Sequence, residues 1–184
     1  MAAARSRARA RGFAASSGDV VGALLATLAA AVPPGGRVLE IGAGCGVGTA
    51  WLGAGLTGRD DVRIVALEAD PDLARSVAAH SAGVVDVVER RVEDCWDHFG
   101  LFDLVFADAE GGKWTDFDRT RELVRPGGFL VLDDLDPARY AAEEHRSVVA
   151  SIVTAVRDDP RFVEVSLAVE TGLLVAVRRI GLDG

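Results

Sequence analysis

The 184-residue sequence is poor in the residues that mark several classes of protein. Its two cysteines, Cys45 and Cys95, are too few for a disulfide framework, and no Cys/His spacing is typical of a zinc site. No apolar run reaches the roughly 18 residues of a membrane-spanning helix. Because the net charge is −8, nothing indicates nucleic acid or an anionic membrane as a partner. With 49% hydrophobic residues, we expect one ordered, cytoplasmic domain.

Three glycines follow a short apolar run near residue 40. The run, residues 38–41, contains Glu40, and Gly42, Gly44 and Gly46 come directly after it. This order predicts a buried strand, a tight turn and the start of a helix, where a nucleotide-like ligand can lie against bare backbone. The third glycine position of the dinucleotide motif G-x-G-x-x-G is missing, which disfavours an NAD oxidoreductase.

The pattern E-x-G-x-G-x-G resembles the first motif of the class I S-adenosylmethionine (SAM) methyltransferases. In that family the turn packs against the amino-acid part of SAM, which implies that Glu40 and the three glycines bind the cofactor. A second apolar run ends in Glu68, a carboxylate that can accept hydrogen bonds from both ribose hydroxyls. The alternative for Glu68 is a solvated acid at a strand end. By the same resemblance Glu93 contacts adenine, although it is equally typical of an acid at a helix start.

The rest of the chain alternates between strand-like and helix-like segments. Strands are predicted over 84–90, 101–107 and 129–132, helices over 114–124 and 140–156, and a terminal hairpin over 162–169 and 173–178. This alternation predicts an α/β fold with a mostly parallel sheet. The resemblance implies a Rossmann-like sheet of seven strands, helices on both faces, and one antiparallel strand from the C-terminal hairpin.

Acidic residues end the fourth and fifth predicted strands. Asp108 follows one of them, and Asp133 and Asp134 follow the other. Three carboxylates at adjacent strand ends can converge on a hard divalent cation. The arrangement is similar to that of the catechol and caffeoyl-coenzyme A O-methyltransferases, which implies that these aspartates hold Mg²⁺ or Ca²⁺. Alternatively, they cap the strands and bind loop amides.

Lys113 is the sole lysine among the 20 lysine and arginine residues. An arginine cannot accept a proton, whereas a lysine near other charges can be shifted toward its neutral form. In the resembling family a lysine in the spacing Asp-x-x-Lys removes the proton of the attacking hydroxyl. Here Lys113 stands two residues farther from Asp108. We expect these two residues to be catalytic, with a surface role for Lys113 as the alternative.

The N-terminal segment is basic, with four arginines between residues 5 and 11. Together with the apolar segment that follows, it superficially resembles a signal peptide. However, Ser16 and Asp19 have the spacing of a capping box, and the apolar residues beyond them recur on one helical face. We expect a mobile tail over 1–17, which could cross the mouth of the active site, and a single methyltransferase domain over 18–184 that opens with a helix.

Three functional hypotheses follow. The first is a SAM-dependent, metal-assisted O-methyltransferase acting on a small-molecule hydroxyl, such as a catechol or another vicinal diol. The second keeps SAM but needs no metal and methylates oxygen or nitrogen. The third is a domain that binds SAM or a nucleotide without catalysis. The resemblance also suggests a homodimer, and no feature of the sequence identifies the acceptor.

Overall fold

The computed structural model describes residues 2–81 and 83–181. In these ranges the chain forms one sheet with helices on both sides. The strands are β1 (Arg37–Ile41), β2 (Arg63–Glu68), β3 (Val85–Glu89), β4 (Phe102–Ala107), β5 (Val124–Leu132), β6 (Phe162–Leu167) and β7 (Leu173–Arg178). The α-helices are α1 (Ala2–Ala10), α2 (Asp19–Ala30), α3 (Val47–Gly55), α4 (Pro71–Ala78), α5 (Phe117–Glu122) and α6 (Glu143–Arg157). Short 3₁₀ turns occupy Val92–Asp94, Trp96–His98 and Pro137–Arg139.

The order of the described strands across the sheet is β3-β2-β1-β4-β5-β7-β6. Strand β1 lies between β2 and β4 and is parallel to both. Strand β7 is antiparallel to its neighbours β5 and β6. The predicted α/β class, with its single antiparallel strand, is therefore confirmed. Strands β2 and β3 lie on one side of β1, and β4 with the later strands lies on the other side. The carboxyl ends of β1 and β4 therefore border a crevice, which is where ligands typically bind in such sheets.

The sheet has a hydrophobic layer on each face. All six residues of β4 are buried, and alternate side chains point to opposite layers. Leu104 and Phe106 pack with residues of α2 and α3, whereas Val105 and Ala107 pack with residues of α6. A strand buried on both faces needs a mostly apolar sequence, and β4 meets this need with Asp103 as its single charged residue, which is why it could be recognised.

The predicted boundaries differ most around β5. The strand predicted over 129–132 begins earlier, at Val124, so that β5 also includes residues 125–128. The ladder to β4 shifts register there, between the pairs that involve Phe102 and Leu104. A bulged strand tolerates the proline and glycines of this segment, because it leaves part of the ladder unpaired. The preceding helix shortens accordingly from the predicted 114–124 to α5.

The N-terminal segment is helical, which differs from the expectation of a mobile tail. Ala4 and Ala8 are one helical turn apart, and both are buried against Cys45 and Val47 beside the glycine turn. Small side chains allow α1 to approach α3 closely. The arginines of this segment predicted only a basic tail, and the buried alanine face was not predicted.

Helix α2 begins after Gly18 without the expected capping box, since no side chain of the helix start makes a cap hydrogen bond. Instead, the carboxylate of Glu170, in the β6–β7 turn, accepts hydrogen bonds from Val20 N and Val21 N at 2.9 and 3.1 Å. A negative charge at this position also complements the helix dipole. A residue 150 positions away therefore caps the helix, and local sequence could not reveal it.

Both cysteines are buried free thiols. The longest helix in the described ranges, α6, has 15 residues, and no described helix could cross a bilayer. The domain predicted over 18–184 contains the whole described sheet, and positions 82 and 182–184 lie outside the described residues.

Candidate active site

The glycine turn connects β1 to α3 at the carboxyl edge of the sheet. Gly42, Gly44 and Gly46 have φ angles of +92°, +54° and +79°, a region that side chains with a Cβ rarely adopt. Gly42 N and Ala43 N both donate to Leu67 O, at 3.0 and 2.9 Å, which ties the turn to the end of β2. The backbone is therefore held in an open turn whose surface carries no side chains.

Glu40 lies beneath this turn and does not line the large cleft in front of it. The residue is 1% exposed, and its carboxylate accepts a hydrogen bond from Thr49 Oγ1 of α3. The pKa of Glu40 is raised to about 8, chiefly by burial and also by the charges of Asp108 and Glu68, whereas the Thr49 hydrogen bond lowers it. Glu40 thus connects strand β1 to helix α3 through Thr49, and its contact with the cofactor stays a prediction.

Glu68 ends β2 and faces the cleft. Its Oε2 accepts from Gly44 N at 2.6 Å and its Oε1 from Asp70 N at 2.9 Å. A carboxylate has about four acceptor sites, so two hydrogen bonds leave room for a ligand's hydroxyls. The two amides orient the side chain for such a contact.

A cleft of about 290 Å³ lies in front of the turn. Its lining includes five residues predicted for the site: Gly42, Gly44, Glu68, Glu93 and Asp108. Glu93 Oε2 lies 3.6 Å from Arg91 Nε on one wall of this cleft. The predicted cofactor residues therefore meet in one place, except for Glu40 and Gly46, which are absent from the lining.

Residues 11–17, which we call the N-terminal strap, cross one side of this cleft. Phe13 and Ala15 belong to the lining. The Phe13 ring covers the glycine turn so closely that a Cβ added at Gly44 would lie 2.9 Å from its Cε1. The sequence analysis anticipated a segment at the mouth but did not identify Phe13. The available signal was that Phe13 is the one aromatic residue before Trp51.

A cluster of charged residues lies beyond the ends of β4 and β5. Lys113 is only 1% exposed, and its Nζ donates to the backbone O of Asp133 at 3.0 Å. The same Nζ lies 3.4 Å from Asp134 Oδ2 and 3.6 Å from Asp108 Oδ1. Lys113 therefore reaches Asp108 even though the intervening segment is two residues longer than in the resembling family.

Asp108 connects this cluster to the cleft. Burial raises the pKa of its carboxyl to about 7; the Lys113 ammonium lowers the value, and the charges of Asp133 and Asp134 raise it. Such a group can take up and release a proton near neutral pH. It is the one predicted residue that both lines the cleft and contacts the lysine.

Asp133 contacts Lys113 through its backbone oxygen, and its carboxylate has other partners. Its Oδ1 accepts hydrogen bonds from Thr171 Oγ1 and from Asp134 N, the latter at 2.8 Å. Burial raises the pKa of Asp133, and these two hydrogen bonds oppose the effect. The β6–β7 turn, which carries Thr171, thereby determines the orientation of Asp133.

Three aromatic rings lie beside the cluster. Trp114 packs edge-on against Tyr140 and His145, with ring centroids 5.2 Å apart in each pair. Tyr140 and His145 are stacked at 5.5 Å, and Tyr140 Oη donates to Asp134 O at 2.9 Å. In the sequence Trp114 precedes both Tyr140 and His145 by at least 26 positions. No sequence motif indicated that they would meet.

Comparison with known proteins shows which family this chain belongs to. The profile of a family described as "Methyltransferase domain" matches residues 39–135, which is more than half of the chain. A protein of Mycolicibacterium smegmatis, provisionally named an O-methyltransferase, is 32% identical over 97% of this chain and 90% of its own length. This chain is a SAM-dependent methyltransferase.

Solved structures share the fold of this methyltransferase. Cofactor-bound Rv0187 from MTB is 26% identical, with a TM-score of 0.79 over 96% of this chain and 89% of that protein. The O-methyltransferase TomG from Streptomyces achromogenes, which is involved in tomaymycin synthesis, was solved with SAM. It has a TM-score of 0.82 at 23% identity, covering 97% and 88% of the two chains.

The divalent-metal site that the resemblance implied does not match the side chains of this methyltransferase as they are placed. Asp133 uses its Oδ1 for Thr171 and a backbone amide, and the Lys113 ammonium lies between Asp108 and Asp134. Over residues 2–81 and 83–181, no group of three or more His, Cys, Asp or Glu side chains is arranged to hold a metal ion. Lys113 therefore lies among the aspartates: it donates hydrogen bonds to Asp133 O and Asp134 Oδ2 and forms an ion pair with Asp108.

Proposed function

We propose that this methyltransferase transfers the SAM methyl group to a hydroxyl oxygen of a small molecule. The relatives named as O-methyltransferases support oxygen as the acceptor atom. The observation that carries the proposal is the position of Asp108, which borders the cofactor cleft and has a pKa raised to about 7. Methyl transfer to a hydroxyl requires a nearby group that accepts its proton.

Asp108 suits this role better than Lys113, which the sequence analysis favoured as the base. The Lys113 side chain is 1% exposed and donates hydrogen bonds into the cluster, whereas the Asp108 side chain is 16% exposed. A proton acceptor must lie within hydrogen-bond reach of the substrate. We therefore assign proton removal to Asp108 and place Lys113 behind it as a compensating charge.

The acceptor site is proposed to lie between Asp108, Asp134 and the ring of Trp114. The Asp134 side chain is 37% exposed, and the half-buried rings of Trp114 and Tyr140 border it. Rings of this kind pack well against a flat, apolar acceptor, while the carboxylates bind its hydroxyl. We propose a hydroxylated ring compound as the substrate class, in which the second oxygen of a catechol is not required.

The experiment is a turnover screen with the purified full-length protein. SAM binding is measured by calorimetry, and S-adenosylhomocysteine release is measured by mass spectrometry with a panel of monophenols, catechols and ring amines. We expect binding, and turnover with at least one hydroxylated ring. Turnover of amines alone would exclude an oxygen acceptor, and SAM binding without turnover of any compound would favour a non-catalytic binding domain.

A further inference from the structure

Lys113 lies inside the aspartate cluster, where the neighbouring carboxylates favour a positive charge. Three carboxylates lie at the ends of β4 and β5, and two of them face the Lys113 Nζ at 3.4 and 3.6 Å. The third acceptor around the Nζ is the backbone oxygen of Asp133 at 3.0 Å. An ammonium has three donors. Here Nζ donates hydrogen bonds to Asp133 O and Asp134 Oδ2, and the Asp108 carboxylate forms an ion pair with it at 3.6 Å. The chain thus supplies its own cation to the cluster.

The loop that carries Lys113 is built to turn this side chain inward. Gly112 has a φ of +79°, and its N donates to Thr115 O at 2.9 Å, which closes the loop on itself. Thr120 Oγ1, on α5, donates to Gly112 O at 2.6 Å. A side chain at Gly112 would be strained at this φ angle. The two additional residues before Lys113 therefore form an ordered turn.

The acidic side of the cluster is arranged for the same partner. Asp134 has a φ of +62°, which is uncommon for a residue with a side chain and favours aspartate or asparagine. In this conformation the Asp134 carboxylate contacts Lys113, while one oxygen of the neighbouring Asp133 carboxylate accepts a hydrogen bond from Thr171. The ammonium is thus the cation that pairs with Asp134 and Asp108. An arginine in the same space would bring a larger, planar group with fixed donor directions.

We propose that the Lys113 ammonium permanently takes the place that the resembling family gives to a divalent metal, so that methyl transfer by this protein needs no metal. Lys113 is a positioning residue: it holds Asp108 and Asp134 in place and offsets their charge without touching the acceptor. This inference rests on the proposed function only for its effect on turnover. Where the ammonium lies, and whether a metal can reach the cluster, are independent of any acceptor.

The first test uses the single lysine as a spectroscopic probe. Untagged protein labelled with ¹⁵N-lysine gives one Nζ signal for the chain, and Mg²⁺, Ca²⁺ or paramagnetic Mn²⁺ is titrated to millimolar concentration. We expect neither a saturable shift with Mg²⁺ or Ca²⁺ nor site-specific broadening with Mn²⁺. A saturable shift or selective broadening of this signal would place a metal at the cluster and overturn the proposal. The result does not depend on turnover.

The second test measures turnover without metal. We expect S-adenosylhomocysteine formation to persist in EDTA and to fall at least tenfold in Lys113→Met, which keeps the stem but removes the charge. Propylammonium should restore part of the activity of Lys113→Ala, which leaves space for it, and none of that of Lys113→Met. Arg119→Met, which removes an exposed cation of α5, is the matched control and should match wild type.

Loss of wild-type activity in EDTA that returns with Mg²⁺, or full activity of Lys113→Met, would overturn the inference. If wild type turns over no acceptor with or without metal, the proposed function fails, and the lysine signal alone decides this inference. The same signal keeps the inference testable where a Lys113 variant does not fold.

Discussion

Replacing Glu40 with glutamine should change how the stability of the fold depends on pH. The wild-type carboxyl is 1% exposed beneath the glycine turn, and burial raises its pKa from 4.5 to about 8. The folded state therefore holds the Glu40 proton more tightly than the unfolded chain. Its contribution to stability is fully present below pH 4.5 and is lost as the pH rises toward 8. Glutamine carries no ionisable group and lacks this loss.

The size of the effect follows from the shift in pKa. One pKa unit corresponds to about 1.4 kcal/mol, so a rise from 4.5 to about 8 amounts to roughly 5 kcal/mol at high pH. At pH 7 ionisation of this carboxyl stabilises the unfolded chain by about 3 kcal/mol more than it stabilises the folded protein. The free energy of unfolding of Glu40→Gln, minus that of wild type, should increase by this amount between pH 4.5 and 7.

Urea unfolding of both proteins at several pH values between 4.5 and 8, without SAM, measures this difference. Because only the change in the free energy of unfolding with pH is compared, any pH-independent cost of burying the glutamine amide cancels. Glu89→Gln, the same change at an exposed strand residue, is the control and should run parallel to wild type. If Glu40→Gln also runs parallel to wild type, Glu40 is not buried as a protonated acid, and the account of the turn is refuted.

Three further predictions concern binding and turnover. If Asp108 accepts the proton, log kcat/KM should rise with pH at a slope near one up to about pH 7 and then level off, and a flat profile would contradict this role. In a stopped assay, kcat/KM of Asp108→Asn should be lower than that of wild type by roughly 100-fold or more. Glu68→Gln should weaken SAM binding roughly tenfold in calorimetry, because a charged acceptor is lost, whereas Glu89→Gln, in register with it on β3, should not. Phe13→Ala should weaken SAM binding severalfold with unchanged circular dichroism, and equal affinity would exclude the strap from the cofactor site.

Much of the fold could be predicted because its signals are local. The mostly apolar sequence of β4 favours burial on both faces, and the three glycines after β1 supply the positive φ angles of the turn. The alternation of strands and helices then predicts a mostly parallel sheet, whereas its seven-stranded plan was predicted from the family resemblance. The boundaries of β5 and α5 were predicted less well, because the bulge beside β4 depends on pairing with a distant strand.

The N-terminal segment shows where local signals were insufficient. Arginines dominate its composition, yet Ala4 and Ala8 form the contact with α3, and Phe13 lies over Gly44. Glu170 caps α2 from the other end of the chain. Each of these contacts pairs residues that are far apart in sequence, so neither partner alone carries a recognisable pattern.

The sequence by itself determined the fold class, the cofactor cleft and the residue types at its edge, because backbone conformation and burial depend on a few neighbouring residues. Only the tertiary structure decided what the acidic residues do. Glu40 is a buried support, Asp133 is held by Thr171, and Lys113 lies among the aspartates. The direction of a buried side chain depends on hydrogen-bond partners that the packing of several distant segments brings within reach, and spacing along the chain does not specify it.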